Sequence, residues 1–200
     1  NNVVTIGEEA FYFAVSLTDL EFGDNLKTIG ARAFAYTLSI STLKFPDTLE
    51  TIGDFAFAVC GALNIEFGTG IRKIGVMAFE ENSNLSEVVF KGGSVPVLSG
   101  GQCFSNTLTE NGSNGYNIGF DSFRIYVPSA YAEEYVTDPG WTEYIAYIHS
   151  ASGNRAPAYW SLEGGAWDAK FEFTDGSIVF VTDPDQTFIS EYDYWNFGEM

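Results

Sequence analysis

The sequence holds one histidine and two cysteines, which leaves little material for a soft-metal cluster or a disulfide framework. Basic residues are also scarce. Nine Lys and Arg stand against 27 Asp and Glu, a formal net charge of -18 over 200 residues. Nucleic-acid binding needs a basic face to replace counterions on phosphate, and so does adhesion to an anionic membrane. The charge argues against both. No apolar run approaches the roughly 18 residues of a membrane span. No signal peptide heads the chain, which leaves open a leader removed before Asn1. Apolar residues, in contrast, make up 46% of the chain, enough for a sizeable core and too many for a disordered segment.

Those apolar residues repeat. Ile-Gly-x-x-Ala-Phe occurs at Ile6 to Phe11, Ile29 to Phe34, Ile52 to Phe57 and Ile74 to Phe79, at spacings of 23, 23 and 22. Val3, Leu26, Leu49 and Ile71 stand three residues before each Ile, and Leu17, Ile40, Leu63 and Leu85 eleven after it. Each second apolar stretch ends in Phe22, Phe45, Phe67 or Phe90. The third repeat is one residue short, and the columns place the loss between Leu63 and Phe67.

A unit this short cannot bury its own apolar face and must stack on its neighbours. The Leu-x-x-Ile and Leu-x-x-Leu-x-Phe stretches read as short strands, one of each per rung, with rungs about 4.8 Å apart. The Gly after each Ile permits a turn of positive φ. The Ala-Phe step reads as a single helical or 3-10 turn, with Phe as a core wedge and Ala giving it clearance.

Exposed positions fall into columns too. Lys27, Glu50 and Arg72 share one, and Glu21, Lys44 and Glu66 another. Opposite charges then meet on adjacent rungs and favour stacking by a few tenths of a kcal/mol per pair. Thr5, Thr28 and Thr51 form a β-branched column suited to a strand surface.

These residues resemble a known family. Leu26-x-x-Ile29-Gly30-x-x-Ala33-Phe34 and Leu49-x-x-Ile52-Gly53-x-x-Ala56-Phe57-x-x-Cys60-x-x-Leu63 are similar to the BspA-like leucine-rich repeat of bacterial surface proteins. The resemblance implies a mainly β repeat solenoid with short helical or 3-10 turns, wound as a right-handed superhelix. It covers residues 1–98 as four repeats. The family's Cys position is filled only at Cys60, and its Pro after the second strand only at Pro46.

Residues 99–150 read as a degenerate fifth repeat and a cap. Gly101-Gln102-Cys103-Phe104 resembles a further Ala-Phe step, with Cys103 in the Ala place. Residues 105–121 are rich in Asn, Gly, Ser and Thr and read as a long loop. Residues 124–127 read as a strand. A short helix follows over 129–136, with Ser129 as N-cap, and a helical segment over 141–145. A solenoid needs such a cap over its last open rung. Because Val3 already lies inside a repeat, the chain reads as a fragment, and repeats or a lipid anchor could precede it.

Residues 151–200 differ in composition. They hold eleven aromatics and nine acidic residues, with only Arg155 and Lys170 as basic ones. Residues 170–181 carry a hairpin signal with its turn at Asp175-Gly176. Trp160, Trp167 and Trp195 are candidate platforms for sugar rings, with nearby carboxylates to accept hydroxyl hydrogen bonds.

No catalytic pattern stands out. His149 has no nucleophile elbow to serve and reads as a surface or cap residue. Cys60 and Cys103 occupy different columns and read as buried thiols. Gly92-Gly93 and Gly100-Gly101 lack the continuation of a phosphate loop. Asp183, Asp185, Glu191 and Asp193 supply oxygens for calcium, but no calcium-loop spacing fits them. No cofactor is expected. The reading is a non-catalytic, extracellular surface protein that binds a protein partner through Lys27, Glu50, Arg72, Glu21, Lys44 and Glu66. The alternative is a glycan-binding module using the three tryptophans.

Overall fold

The computed structural model describes residues 2–100, 102–104 and 123–150, and three strands beyond them. The chain divides into two compact units, Asn1–Gly153 and Asn154–Met200. In chain order the first contains β1 (Thr5–Ile6), β2 (Thr28–Ile29), β3 (Thr42–Lys44), β4 (Thr51–Ile52), β5 (Asn64–Phe67), β6 (Lys73–Ile74), β7 (Glu87–Phe90), β8 (Val97–Leu98) and β9 (Arg124–Val127). A 3-10 turn (Ser129–Tyr131), α1 (Ala132–Thr137), a 3-10 segment (Pro139–Tyr147) and β10 (Ile148–Ser150) complete it. The second unit contains β11 (Ala158–Glu163), β12 (Ala166–Glu172) and β13 (Ile178–Asp183).

The repeats of the first unit form a solenoid with two parallel five-stranded sheets, ordered β1-β2-β4-β6-β8 and β10-β9-β7-β5-β3. From the second rung on, each rung gives one strand to each sheet; the first rung gives only β1, and β10 completes the second sheet. Register follows the sequence columns: Thr5, Thr28 and Thr51 pair in turn, and so do Ile6, Ile29, Ile52, Ile74 and Leu98. In the second unit, β12 pairs antiparallel with both β11 and β13.

Two phenylalanine columns fill the solenoid. Phe11, Phe34, Phe57, Phe79 and Phe104 stack face to face, with successive ring centres 4.9, 5.0, 5.5 and 5.5 Å apart. Phe22, Phe45, Phe67 and Phe90 stack likewise at 5.2, 5.1 and 4.6 Å. The columns meet edge to face, as at Phe45 and Phe57, 5.4 Å apart. These are the favourable geometries for aromatic pairs, worth about 0.5–1.5 kcal/mol each beyond their burial.

The Ala-Phe arc is not the helical or 3-10 turn expected from sequence. Two non-glycine residues per arc hold left-handed backbone: Glu9, Arg32, Phe55, Met77 and Gln102 in one column, Phe13, Tyr36, Val59 and Glu81 in the other, all at φ of 51–69°. This conformation costs side-chain-bearing residues about 1–3 kcal/mol. The amides it orients offset that cost. Arg32, Phe34 and Tyr36 donate to the carbonyls of Asp54, Ala56 and Ala58 at 2.9, 2.8 and 2.9 Å. The arc is therefore a third hydrogen-bonded ladder between rungs.

The glycine after each Ile has a different purpose from the one expected. It does not carry positive φ. A Cβ on Gly53 would lie 2.5 Å from the backbone nitrogen of Ala31, and one on Gly30 2.6 Å from that of Glu8. Close approach of rungs, not turn conformation, requires it. The shortening of the third repeat is also placed differently. Ala62, not Leu63, fills the buried column between Ile40 and Leu85. The missing residue lies at Gly61, whose φ of 83° closes the shorter corner.

Asn82 is a buried polar residue that sequence reading passes over. Its Oδ1 accepts from the amides of Cys60 and Ala62 at 3.2 and 3.0 Å. Its Nδ2 donates to the carbonyls of Phe57 and Phe79, both at 2.9 Å. It stands one rung after Cys60, in the column that Thr37 also occupies. Both cysteines are free and buried, as expected. Burial pushes the Cys60 thiol up to about 12 and the Cys103 thiol higher, so both stay protonated and unreactive.

Residues 123–150 pack on the last described arc. Phe104 stacks on Phe79 and continues the arc column. Among the described residues, the amides of this arc find acceptors in the 3-10 segment. Glu143 Oε2 accepts from Gln102 N–H and the Tyr144 hydroxyl from Phe104 N–H, both at 3.0 Å. Trp141 is fully buried with its ring edge-on to Phe90, and its indole N–H donates to the Pro96 carbonyl at 2.9 Å. Ser129 does not cap a helix: Pro128 holds that position, and the capping side chain is Asp138, which accepts from Gly140 N–H at 2.8 Å. β10 extends the second sheet beside β9, so His149 is a buried strand residue near Tyr126 rather than a surface one.

Two stability predictions follow from these contacts. Asn82→Ala leaves two buried amides and two carbonyls without their partner, and should cost about 2–5 kcal/mol in denaturant unfolding. Tyr144→Phe keeps the ring but removes the acceptor for Phe104. It should cost about 1–3 kcal/mol, read as a Tm lowered by roughly 3–8 °C.

Candidate interaction surface

With the apolar columns inside, the chemistry available to a partner lies on the outward columns. The six charged residues singled out from sequence do not form one face. Lys27, Glu50 and Arg72 each lie immediately before a strand of the first sheet, whereas Lys44 and Glu66 lie in β3 and β5 of the second. Glu21 precedes β3 outside any strand.

Within the first column the charges meet. Lys27 Nζ lies 3.0 Å from Glu50 Oε1. That hydrogen bond and charge, with a smaller contribution from Arg72, hold the Glu50 carboxyl below its ordinary range. In the second column Lys44 and Glu66 are register partners, yet Glu66 pairs with Lys91 at 2.6 Å. Lys91, two positions beyond Val89 in the facing strand, was missed because the columns were read strictly across. A third pair lies in a column that the sequence reading did not tabulate: Arg32 Nη1 lies 3.4 Å from Glu9 Oε1, joining two left-handed arc positions 23 residues apart.

The arc carries the larger omission. Tyr12, Phe13 and Tyr36 are 45%, 61% and 40% exposed and form one ring cluster with centres 5.7–6.2 Å apart. Beside it, the Arg32 guanidinium lies 5.8 Å from the centre of the Phe55 ring. Reading the sixth and seventh positions after each Ile as columns would have found this patch: Tyr12, Ala35, Ala58 and Glu80, then Phe13, Tyr36, Val59 and Glu81.

Of the tryptophan platforms, Trp160 lies in β11 opposite Ala169 and Trp167 in β12 opposite Leu162. Trp195 lies outside the described residues, as do the calcium candidates Asp185, Glu191 and Asp193. Among the described residues, no group of three or more His, Cys, Asp or Glu could hold a metal ion. No helix among them is long and apolar enough to cross a membrane.

The BspA type leucine-rich repeat region matches residues 4–123 in six copies, against the four repeats and degenerate fifth counted from sequence. The chain belongs to the BspA-type leucine-rich repeat family. It is also similar to a leucine-rich repeat protein from Bacteroides ovatus ATCC 8483, known from a crystal structure, at 37% identity and a TM-score of 0.42. That match covers 43% of this chain and 23% of the other. No curated protein matches the chain.

The Lys27–Glu50 pair of this repeat array gives a direct prediction. In an NMR titration, Lys27→Met should move the Glu50 carboxyl back up toward its ordinary range, while Arg72→Met should move it less. A group with a lowered folded value stabilises above its unfolded value, and that contribution disappears as pH falls through the lowered one. Both ends are largely exposed, so 1 M salt should weaken the wild-type shift.

Proposed function

We propose that this chain is a non-catalytic module of a bacterial cell-surface protein that binds a protein partner through the outward columns of its repeats. What carries the reading is the division of the repeat. Its inner columns are committed to stacking, while its outer columns set charged and aromatic side chains at regular rung spacing along an extended surface. Membership of the BspA-type family, associated with bacterial surfaces, supports both the location and the adhesive role. The Lys27–Glu50–Arg72 column and the Lys44–Glu66–Lys91 cluster offer alternating charge to such a partner.

The test displays the full chain on a non-adherent bacterium and measures attachment to surfaces coated with host-cell or bacterial-surface proteins. Attachment should rise above that of the empty display strain, and Glu50→Arg should lower it about threefold or more if the first charged column contributes. Attachment equal to the empty strain on every coating would remove the adhesive reading.

A further inference from the structure

The aromatic patch on the arc continues into a groove. It encloses about 240 Å³ and is lined by Tyr12, Arg32, Ala35, Tyr36, Phe55, Ala58, Val59, Glu80 and Glu81. The column order explains its shape. The sixth position after each Ile holds a large residue in the first and fourth repeats, Tyr12 and Glu80, and alanine in the second and third. Ala35 and Ala58 are 1% and 4% exposed, so they form a floor. Arg32 and Phe55 precede that floor on each arc, while Tyr36 and Val59 follow it. The groove therefore runs across the rungs, over three steps or about 14 Å.

Its two ends differ. One is aromatic, at Tyr12. At the other stand Glu80 and Glu81, and neither is in an ion pair among the described residues. The cation on the wall, Arg32, is already engaged by Glu9 and by the face of Phe55. The groove thus presents an alanine-floored trough, polar over half of its lining, that leads to the Glu80 and Glu81 carboxylates. A long aliphatic stem with a cationic head matches both parts.

We propose that this groove binds a lysine or arginine side chain presented by a protein partner, its stem on Ala35 and Ala58 and its charge at Glu80 and Glu81. The inference rests on the protein-binding reading above and adds the place and the chemistry of the partner. The flanking rings of Tyr12, Phe13 and Tyr36 take apolar residues beside that cation. Half-burial and the neighbouring Glu81 already push the Glu80 carboxyl upward, so an arriving cation relieves a charge the free protein holds unfavourably.

Random heptapeptides displayed on phage, selected against the full chain, test this. Enriched peptides should carry a Lys or Arg next to an aliphatic or aromatic residue. Calorimetry should show affinity lowered about tenfold when that Lys or Arg is replaced by norleucine, and again by the double change Glu80→Gln with Glu81→Gln. Tyr36→Ser should weaken binding with little effect on the Tm. Peptides without a basic residue, no enrichment, or affinity unchanged in the glutamine variant would overturn the inference. So would a glycan-array signal that Tyr36→Ser abolishes. Attachment of displaying cells that Glu50→Arg reduces and the glutamine variant does not would overturn the groove while leaving the surface-binding reading intact. Peptide binding at the groove with no cell attachment would do the reverse.

Discussion

A phenylalanine of the arc column has its two ring faces covered only by the copies one rung before and after it. That single dependence organises the rest of the repeat unit. Burying such a ring is worth about 1.5–3 kcal/mol, and little of that is available to one isolated rung. The stack therefore sets the rung spacing, and the spacing sets what may stand elsewhere. Alanine must precede Phe34 and Phe57, because that position is fully buried between rungs. Glycine must follow Ile29 and Ile52, because backbone of the previous rung lies where a Cβ would go. The left-handed residues are the least expected consequence. They cost conformational energy, but they turn the amides of the arc along the stack, where each finds a carbonyl one rung away.

A stack held this way has direction, and its ends are chemically unlike. In the arcs, each rung donates to the next. The last described arc consequently has amides, those of Gln102 and Phe104, that need acceptors, and a purely apolar cap would leave them unpaired. The cap meets this with oxygen atoms from Glu143 and Tyr144, while Trp141, edge-on, and Tyr135, tilted, pack against Phe90. β10 gives the second sheet a final parallel strand before the chain leaves the array. Packing and polar satisfaction are handled by the same short stretch of 3-10 backbone.

How much of this could be read beforehand depended on whether a residue's identity or only its conformation was constrained. Ile, Ala and Phe columns are dictated by volume, so the same letters recur and the solenoid was legible from them. The left-handed positions constrain backbone alone. Glu9, Arg32, Phe55 and Met77 share a φ but no side-chain chemistry, so nothing in the letters marks them. The glycine was correctly singled out for the wrong reason, since a one-letter pattern cannot separate positive φ from close approach. The deletion in the third repeat was misplaced because Leu63 looked like the column residue, while the buried position had passed to Ala62. β10 was hidden because His149 broke an apolar pattern, although a buried histidine beside Tyr126 suits the strand. On the surface, Lys27 and Glu50 pair as their column requires, yet Glu66 reaches past Lys44's column to Lys91.

The outer columns obey an electrostatic rule that follows from the same spacing. At about 5 Å between rungs, like charges in register repel and opposite ones attract, so a neutral column or an alternating one stacks best. Lys27, Glu50 and Arg72 alternate, Glu9 is answered by Arg32, and Glu66 is answered from a diagonal position. Three pairs on these faces are closed within the array itself. Glu80 and Glu81 are not among those pairs. They stand next to each other at the end of an alanine-floored trough, in no ion pair among the described residues and with Asn82 immediately after them fixed in the core. Their position cannot relax far, because the arc that carries them is bonded rung to rung on both sides. Where a self-compensating stack leaves charge uncompensated, on backbone too constrained to move away, the missing counter-charge has to come from solvent or from another molecule. The acidity of the whole chain is therefore a poor guide to its partners, and the local failure of pairing on a repeating surface is a better one.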